Sequence, residues 1–234
     1  MSLMARISIF IFSLVLFCCF PALSEAQETE PAGEPAEALG SDTTVRKPVF
    51  NGLYLGLDVA NPALHFLGTG YMQCEVALDV NLLHRYFPVL ELGYGSYDNA
   101  ENGVGYKAAA PFFRVGMNYN MKYKQNDESH FYFGLRYGFS AFKYDISSHN
   151  VVDEVWGGAI DFNRSGIRAV ANWMEIVGGI RVAIYRNFMM GWSFRWRARL
   201  KITEHDDSAP WYVPGFGYNK SSNIGFTYAL IYKF

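Results

Sequence analysis

The chain has 234 residues, enough for one domain with a short appendage. Its 20 basic residues stand against 22 acidic ones, and a net charge of −2 gives no electrostatic footprint for nucleic acid. Half of the residues are hydrophobic and 17% are aromatic, yet beyond the N-terminal leader no run of eighteen apolar residues offers a transmembrane helix.

At the N-terminus, Arg6 precedes an apolar run from Ile7 to Phe20, followed by Pro21 and the small-residue site Ser24-Glu25-Ala26. That order matches the charged, hydrophobic and cleavage regions of a secretory signal peptide, so residues 1–26 are expected to be removed. The apolar run is short for a membrane anchor. Phe17 before Cys18, and Cys18 before Cys19, replace the small residue that lipid attachment needs. Residues 27–48 carry Glu28, Glu30, Glu34, Glu37 and Asp42 against Arg46 and Lys47, with Pro31 and Pro35 among small residues. Such a stretch cannot bury enough apolar surface to fold, and it reads as a disordered acidic linker. Cleavage leaves Cys74 as the one cysteine, so no intramolecular disulfide is expected.

Residues 49–234 form the folded domain, and side chains alternate along it. Met72, Cys74, Val76, Leu78, Val80 and Leu82 interleave with Gln73, Glu75, Asp79 and Asn81. Phe188, Met190, Trp192, Phe194 and Trp196 interleave with Gly191, Ser193, Arg195 and Arg197. A period of two is that of a β-strand, whose successive side chains point to opposite faces. The pattern predicts eight strands, at 50–60, 70–82, 86–97, 106–121, 130–145, 169–185, 188–201 and 221–234. Pro88 and Pro111 cannot donate to a ladder and are expected at a rim or a bulge. Connections after the second, fourth and sixth strands are short; the others are longer, with 146–168 and 202–220 the longest.

Short turns at one end and long loops at the other describe an all-β fold, an eight-stranded antiparallel up-and-down transmembrane β-barrel. The interior of such a cylinder is only just wide enough for side chains. The aromatic bulk of Trp192, Phe194 and Trp196 is therefore expected outside, against lipid, with a polar, salt-bridged interior. Tyr86, Phe87, Tyr123, Phe131, Tyr185, Phe188, Tyr232 and Phe234 gather near the inferred periplasmic rim, as a membrane-boundary girdle would.

The chain resembles the small eight-stranded outer-membrane barrels of Gram-negative bacteria, the OmpA/OmpX-type architecture, and is similar to uncharacterised barrels of Bacteroidetes. The resemblance covers residues 50–234 and is one of pattern. It implies an outer-membrane location, contact with outer-membrane lipid and lipopolysaccharide, and extracellular long loops. The ending Phe226, Tyr228, Leu230, Tyr232 and Phe234 resembles the signal read by the barrel-assembly machinery.

Charges on the inward face are Asp58, Glu75, Asp79, Glu91 and Glu175 against Arg114, Arg136, Arg181, Arg195, Arg197, Arg199, Lys201 and Lys233. Glu75, Glu91, Arg114, Arg136, Glu175 and Arg195 fall near mid-height. Buried ions must pair, which predicts a packed charge network. The ladder Arg195, Arg197, Arg199 and Lys201 suggests a narrow anion-attracting channel instead, but the width argues against it. Some barrels of this resemblance modify lipid A by acyl transfer or deacylation. The candidate histidines for that chemistry are His149, beside Asp145, Ser147 and Ser148, and His205, between Glu204 and Asp206. Neither matches a specific signature, since polar residues dominate loops for turn reasons alone. His84 and His130 map to the periplasmic end, whereas Trp156, Trp211 and Tyr212 sit in the long loops, free to meet a partner or the headgroup layer. No cofactor or metal motif is found. The expectation is a non-enzymatic outer-membrane barrel with a role in envelope structure, or in surface interaction with an extracellular partner through its loops.

Overall fold

A computed structural model describes residues 48–66, 70–101, 104–124, 128–152, 159–203 and 208–234. The expected signal peptide, nearly all of the acidic linker, Trp156 and His205 lie outside the described residues. The elements in chain order are β1 (Phe50–Asp58), α1 (Ala60–Phe66), β2 (Tyr71–Leu82), β3 (Tyr86–Glu101), β4 (Val104–Asn120), β5 (His130–Val152) and β6 (Ala159–Tyr185). They continue with β7 (Phe188–Ile202), β8 (Tyr212–Val213), β9 (Gly217–Tyr218) and β10 (Ser222–Lys233). Eight antiparallel strands close into a ring in the order β1-β10-β7-β6-β5-β4-β3-β2, and β8 with β9 forms a separate two-stranded sheet. The seam runs from Tyr54 opposite Lys233 to Asp58 opposite Ala229.

The alternation sorts side chains as the sequence predicts. Outward neighbours are large and apolar: Leu92 is 57% exposed, Phe133 49% and Phe226 61%. Glu91 one position before Leu92, Arg136 three after Phe133 and Thr227 one after Phe226 are buried. The helix α1, which the alternation does not signal, follows β1. Asp58 caps it, accepting from Ala60 N at 3.2 Å and from Asn61 Nδ2 at 2.5 Å.

Three expectations need correction. First, β5 and β6 run on as strands to Val152 and from Ala159, so the stretch 146–168 is mostly ladder rather than loop. Tyr144 and Ile146 keep facing inward there, and Asp145 bridges a register shift by accepting from Gly166 N at 2.7 Å. Second, Pro111 marks neither rim nor bulge. It lies mid-strand opposite Tyr94, and the β4–β5 ladder is interrupted on its other side, between Ala108 and Phe112. Pro88 sits near the start of β3, opposite Met117 and without a bulge toward β4. Third, the interior is not polar throughout. Its loop-end half is an aromatic core of Tyr97, Tyr106, Phe112, Phe142, Tyr144 and Trp173.

At the opposite end the turns are tight. The β2–β3 turn places Leu83 at φ 57° and His84 at φ 55°, a left-handed region where a Cβ crowds the following carbonyl. Leu83→Gly is expected to raise the unfolding free energy by about 0.5–1 kcal/mol, read from chemical denaturation midpoints.

Candidate functional site

A layer of buried charge crosses the interior at mid-height, and the strand register builds it. Glu91 stands directly opposite Arg114, Arg136 opposite Glu175, and Glu175 opposite Arg197. Arg114 Nη1 reaches Glu75 Oε2 at 2.6 Å and Glu91 Oε2 at 3.0 Å, and its Nε reaches Glu175 Oε1 at 2.8 Å. Arg195 spans the same carboxylates from the other side, with Nη1 at 2.7 Å from Glu91 and Nη2 at 2.9 Å from Glu75. Arg136 Nε lies 2.8 Å from Glu91, and Arg197 Nε 3.4 Å from Glu175. Trp173 Nε1 completes the coordination, donating to Glu175 Oε1 at 2.7 Å. All of these side chains are buried. Desolvating so many ions is costly. The layer therefore specifies one arrangement more than it adds net stability, and removing any one member strands its partners.

Closer to the tight turns, Arg181 pairs with Asp79 and lies over the rings of Tyr132, Phe87 and Tyr54. Both groups are buried, so the pair sits apart from the mid-height layer yet obeys the same rule.

The rest of the inward-facing charges go elsewhere. Asp58 serves α1, Lys233 reaches Glu128 at 2.5 Å, and Arg199 pairs with Asn219. Lys201 corrects an expectation: it is exposed, opposite Asn172, because the register shift between Asn172 and Trp173 reverses the alternation at the end of β7.

Above the layer sits the feature that the sequence reading missed. Between β7 and β10 the hairpin β8–β9 folds back into the loop-end mouth. Tyr212, Val213 and Phe216 are buried there, which corrects the expectation that Tyr212 is free to meet a partner. Tyr212 stacks on Tyr97 with ring centroids 4.9 Å apart, and Phe216 packs against Trp173. Three side chains of the ring hold the hairpin by its backbone. Tyr106 donates to Tyr212 O at 2.8 Å, Arg114 Nη2 to Gly215 O at 2.9 Å, and Arg197 Nη1 to Phe216 O at 3.1 Å. Gly215 has φ +83°, and a Cβ there would stand 2.4 Å from Phe112 Cγ. The signal for this hairpin was present in Pro214-Gly215 flanked by Trp211, Tyr212, Val213, Phe216 and Tyr218, a turn dipeptide between apolar residues. Trp211 stays 41% exposed, stacked on Tyr106.

Of the two candidate histidines, His205 lies outside the described residues. His149 lies in the outer part of β5 with its side chain outside the described residues. His130 stacks on Phe87 and His84 lies 3.4 Å from Asn81 Nδ2, both toward the tight-turn end. Among the described residues no group of His, Cys, Asp and Glu could hold a metal ion. The terminal Phe226, Tyr228, Leu230 and Tyr232 lie along β10, and Phe234 N donates to Leu53 O at 2.8 Å across the seam. What the interior can do chemically is hold charge and fix geometry.

A family model described as a domain of unknown function (DUF6048) matches residues 6–234. No curated protein matches the chain.

Glu91→Ala, which takes a carboxylate from Arg114, Arg136 and Arg195 together, is expected to lower the unfolding free energy by about 3–5 kcal/mol, whereas Glu128→Ala on the surface costs less than about 1 kcal/mol. Denaturant titration followed by tryptophan fluorescence checks both. Gly215→Ala should expel the hairpin. Limited proteolysis should then cut within residues 208–220 while the ring strands stay protected.

Proposed function

Because the chain belongs to the DUF6048 family, whose description assigns no role, we propose a function from physical chemistry: an outer-membrane β-barrel, non-enzymatic, that serves envelope structure or surface interaction through its loop-end face. The inverted distribution of side chains carries this reading. Apolar residues such as Leu57, Leu92, Val115, Leu135 and Trp196 are exposed around the ring, while arginines and carboxylates fill its centre. Soluble monomers rarely expose contiguous apolar patches beyond a few hundred Å², and a soluble barrel would place charge outside. A closed ring also satisfies its backbone hydrogen bonds internally, as hydrocarbon requires. The strands are long enough to cross: β2 has 12 residues and β10 has 12, against the roughly 9–11 that a tilted strand needs.

On this reading the tight turns face the periplasm and the hairpin-plugged end faces outward, in contact with outer-membrane lipid and lipopolysaccharide. A leader at residues 1–26 would direct export, and the aromatic pattern from Phe226 to Phe234 would be presented to the barrel-assembly machinery. The plug and the interlocked layer beneath it support a closed interior, so a channel is not proposed. The exposed Trp211, held flat on Tyr106, is the natural contact point for an external partner.

Fractionation of expressing cells should recover the protein with the outer membrane, and unboiled samples should migrate faster than boiled ones on denaturing gels. A folded, soluble protein in detergent-free buffer would refute the proposal. Planar-bilayer recordings should show no reproducible unit conductance.

A further inference from the structure

The turn end of the ring repeats one arrangement at each of its connections. Between β2 and β3, the Arg85 guanidinium carbon lies 5.1 Å from the ring centroid of Tyr86, 5.2 Å from that of Tyr119 and 4.7 Å from that of Tyr123. Between β4 and β5, Lys122 Nζ lies 5.6 Å from the Phe131 centroid. Between β6 and β7, the Arg186 guanidinium carbon lies 5.1 Å from the Tyr185 centroid. The spacing of cation and ring along the chain differs at the three sites, so the fold makes this repeat and the sequence does not display it.

These rings belong to the outer surface. Tyr86 stands opposite Tyr119, and Tyr185 opposite Phe188. Further along the same faces, Leu90, Met117, Phe133 and Ile184 are exposed and apolar. Each cation therefore stands where an apolar exterior ends. That is where a long basic side chain lays its stem on apolar surface and keeps its charged head in a polar layer.

Charge at this rim is one-sided. The charged side chains described there are Arg85, Lys122, Lys124, Arg186 and Lys233 against Glu128, and Lys233 takes Glu128 at 2.5 Å. Among the described residues no carboxylate pairs with Arg85, Lys122 or Arg186. A ring attracts a cation through its quadrupole but carries no net charge to neutralise it. What the three positions call for is an anion attached to an apolar body, which can lie along the exterior beside the rings.

We propose that Arg85, Lys122 and Arg186 bind the phosphate groups of anionic phospholipids, one lipid at each turn, with the acyl chains against the apolar band. Arg85 and Arg186 can fork two phosphate oxygens, and Lys122 acts as a point charge. The rings fix each cation at the rim, so the ring selects its neighbouring lipids by headgroup charge. On the membrane-spanning reading, which this site presupposes, these lipids belong to the periplasmic leaflet.

The test uses the full chain in detergent. Phosphatidylglycerol and phosphatidylcholine with identical acyl chains are added in equal amounts, and bound lipid is counted by native mass spectrometry. Phosphatidylglycerol should be retained on the order of fivefold over phosphatidylcholine at each turn. Arg85→Gln, Lys122→Gln and Arg186→Gln together should abolish the preference. Lys107→Gln, Lys143→Gln and Lys220→Gln, an equal loss of charge at the loop end, should leave it unchanged. Equal retention of the two lipids, a preference lost as fully in the loop-end variant, or displacement of the lipid by inorganic phosphate would each overturn the proposal. So would a preference that emerges only when residues 27–45 are removed, which would give the rim to the chain's own acidic stretch. If unboiled samples still migrate faster than boiled ones, any of these results leaves the barrel reading standing. A chain that stays folded and dissolved without detergent removes both.

Discussion

An eight-stranded ring leaves an interior too narrow to hold solvated ions and too wide to leave empty, and the rest of this structure follows from that constraint. Whatever points inward must fill the space and satisfy every polar atom from within. At mid-height the chain meets the demand with guanidinium–carboxylate forks, whose planar geometry lets Arg114 and Arg195 each reach several acids at once. Opposite charges are placed by register, so the layer forms only when each strand pairs correctly. A slip of one residue on β3 would turn Glu91 outward and take one carboxylate from each of Arg114, Arg136 and Arg195.

The loop-end half meets the same demand by other means. Ring side chains alone, Tyr97, Tyr106, Phe112, Tyr144 and Trp173 among them, do not close the mouth, and the chain supplies its own filler from the β7–β10 connection. The hairpin is both core and capping ligand. Its apolar side chains fill volume, and its carbonyls take up guanidinium hydrogens of Arg114 and Arg197 that the carboxylates below do not reach. Charge layer and plug are thus one network, joined through two arginines.

Much of this was legible in the sequence, for a physical reason. The two-residue period is a direct record of which face each side chain occupies, so the eight ring strands and the inward direction of Glu75, Glu91, Arg114, Arg136, Glu175 and Arg195 could be read from it. What could not be read has equally definite causes. The period does not announce its own interruptions, and the shift at Asn172 and Trp173 sends Lys201 outward against the count. Loops carry no period at all, so Tyr212 looked exposed although it is, like Phe216, among the most buried residues. Near the loop end, Tyr106, Ala108, Ala110 and Phe112 form an inward apolar series opposite Lys107, which marks where the polar interior gives way to an aromatic one.

Closure of the ring has a consequence for how the chain reaches this state. The seam joins the first strand to the last, from Tyr54 with Lys233 to Asp58 with Ala229, and Phe234 N donates to Leu53 O beside it. Until β10 has been synthesised, the outer edge of β1 has nothing to pair with and remains an adhesive template for any other strand. Ring formation cannot be completed as the chain emerges, and the edge of β1 must be kept from its neighbours until β10 arrives.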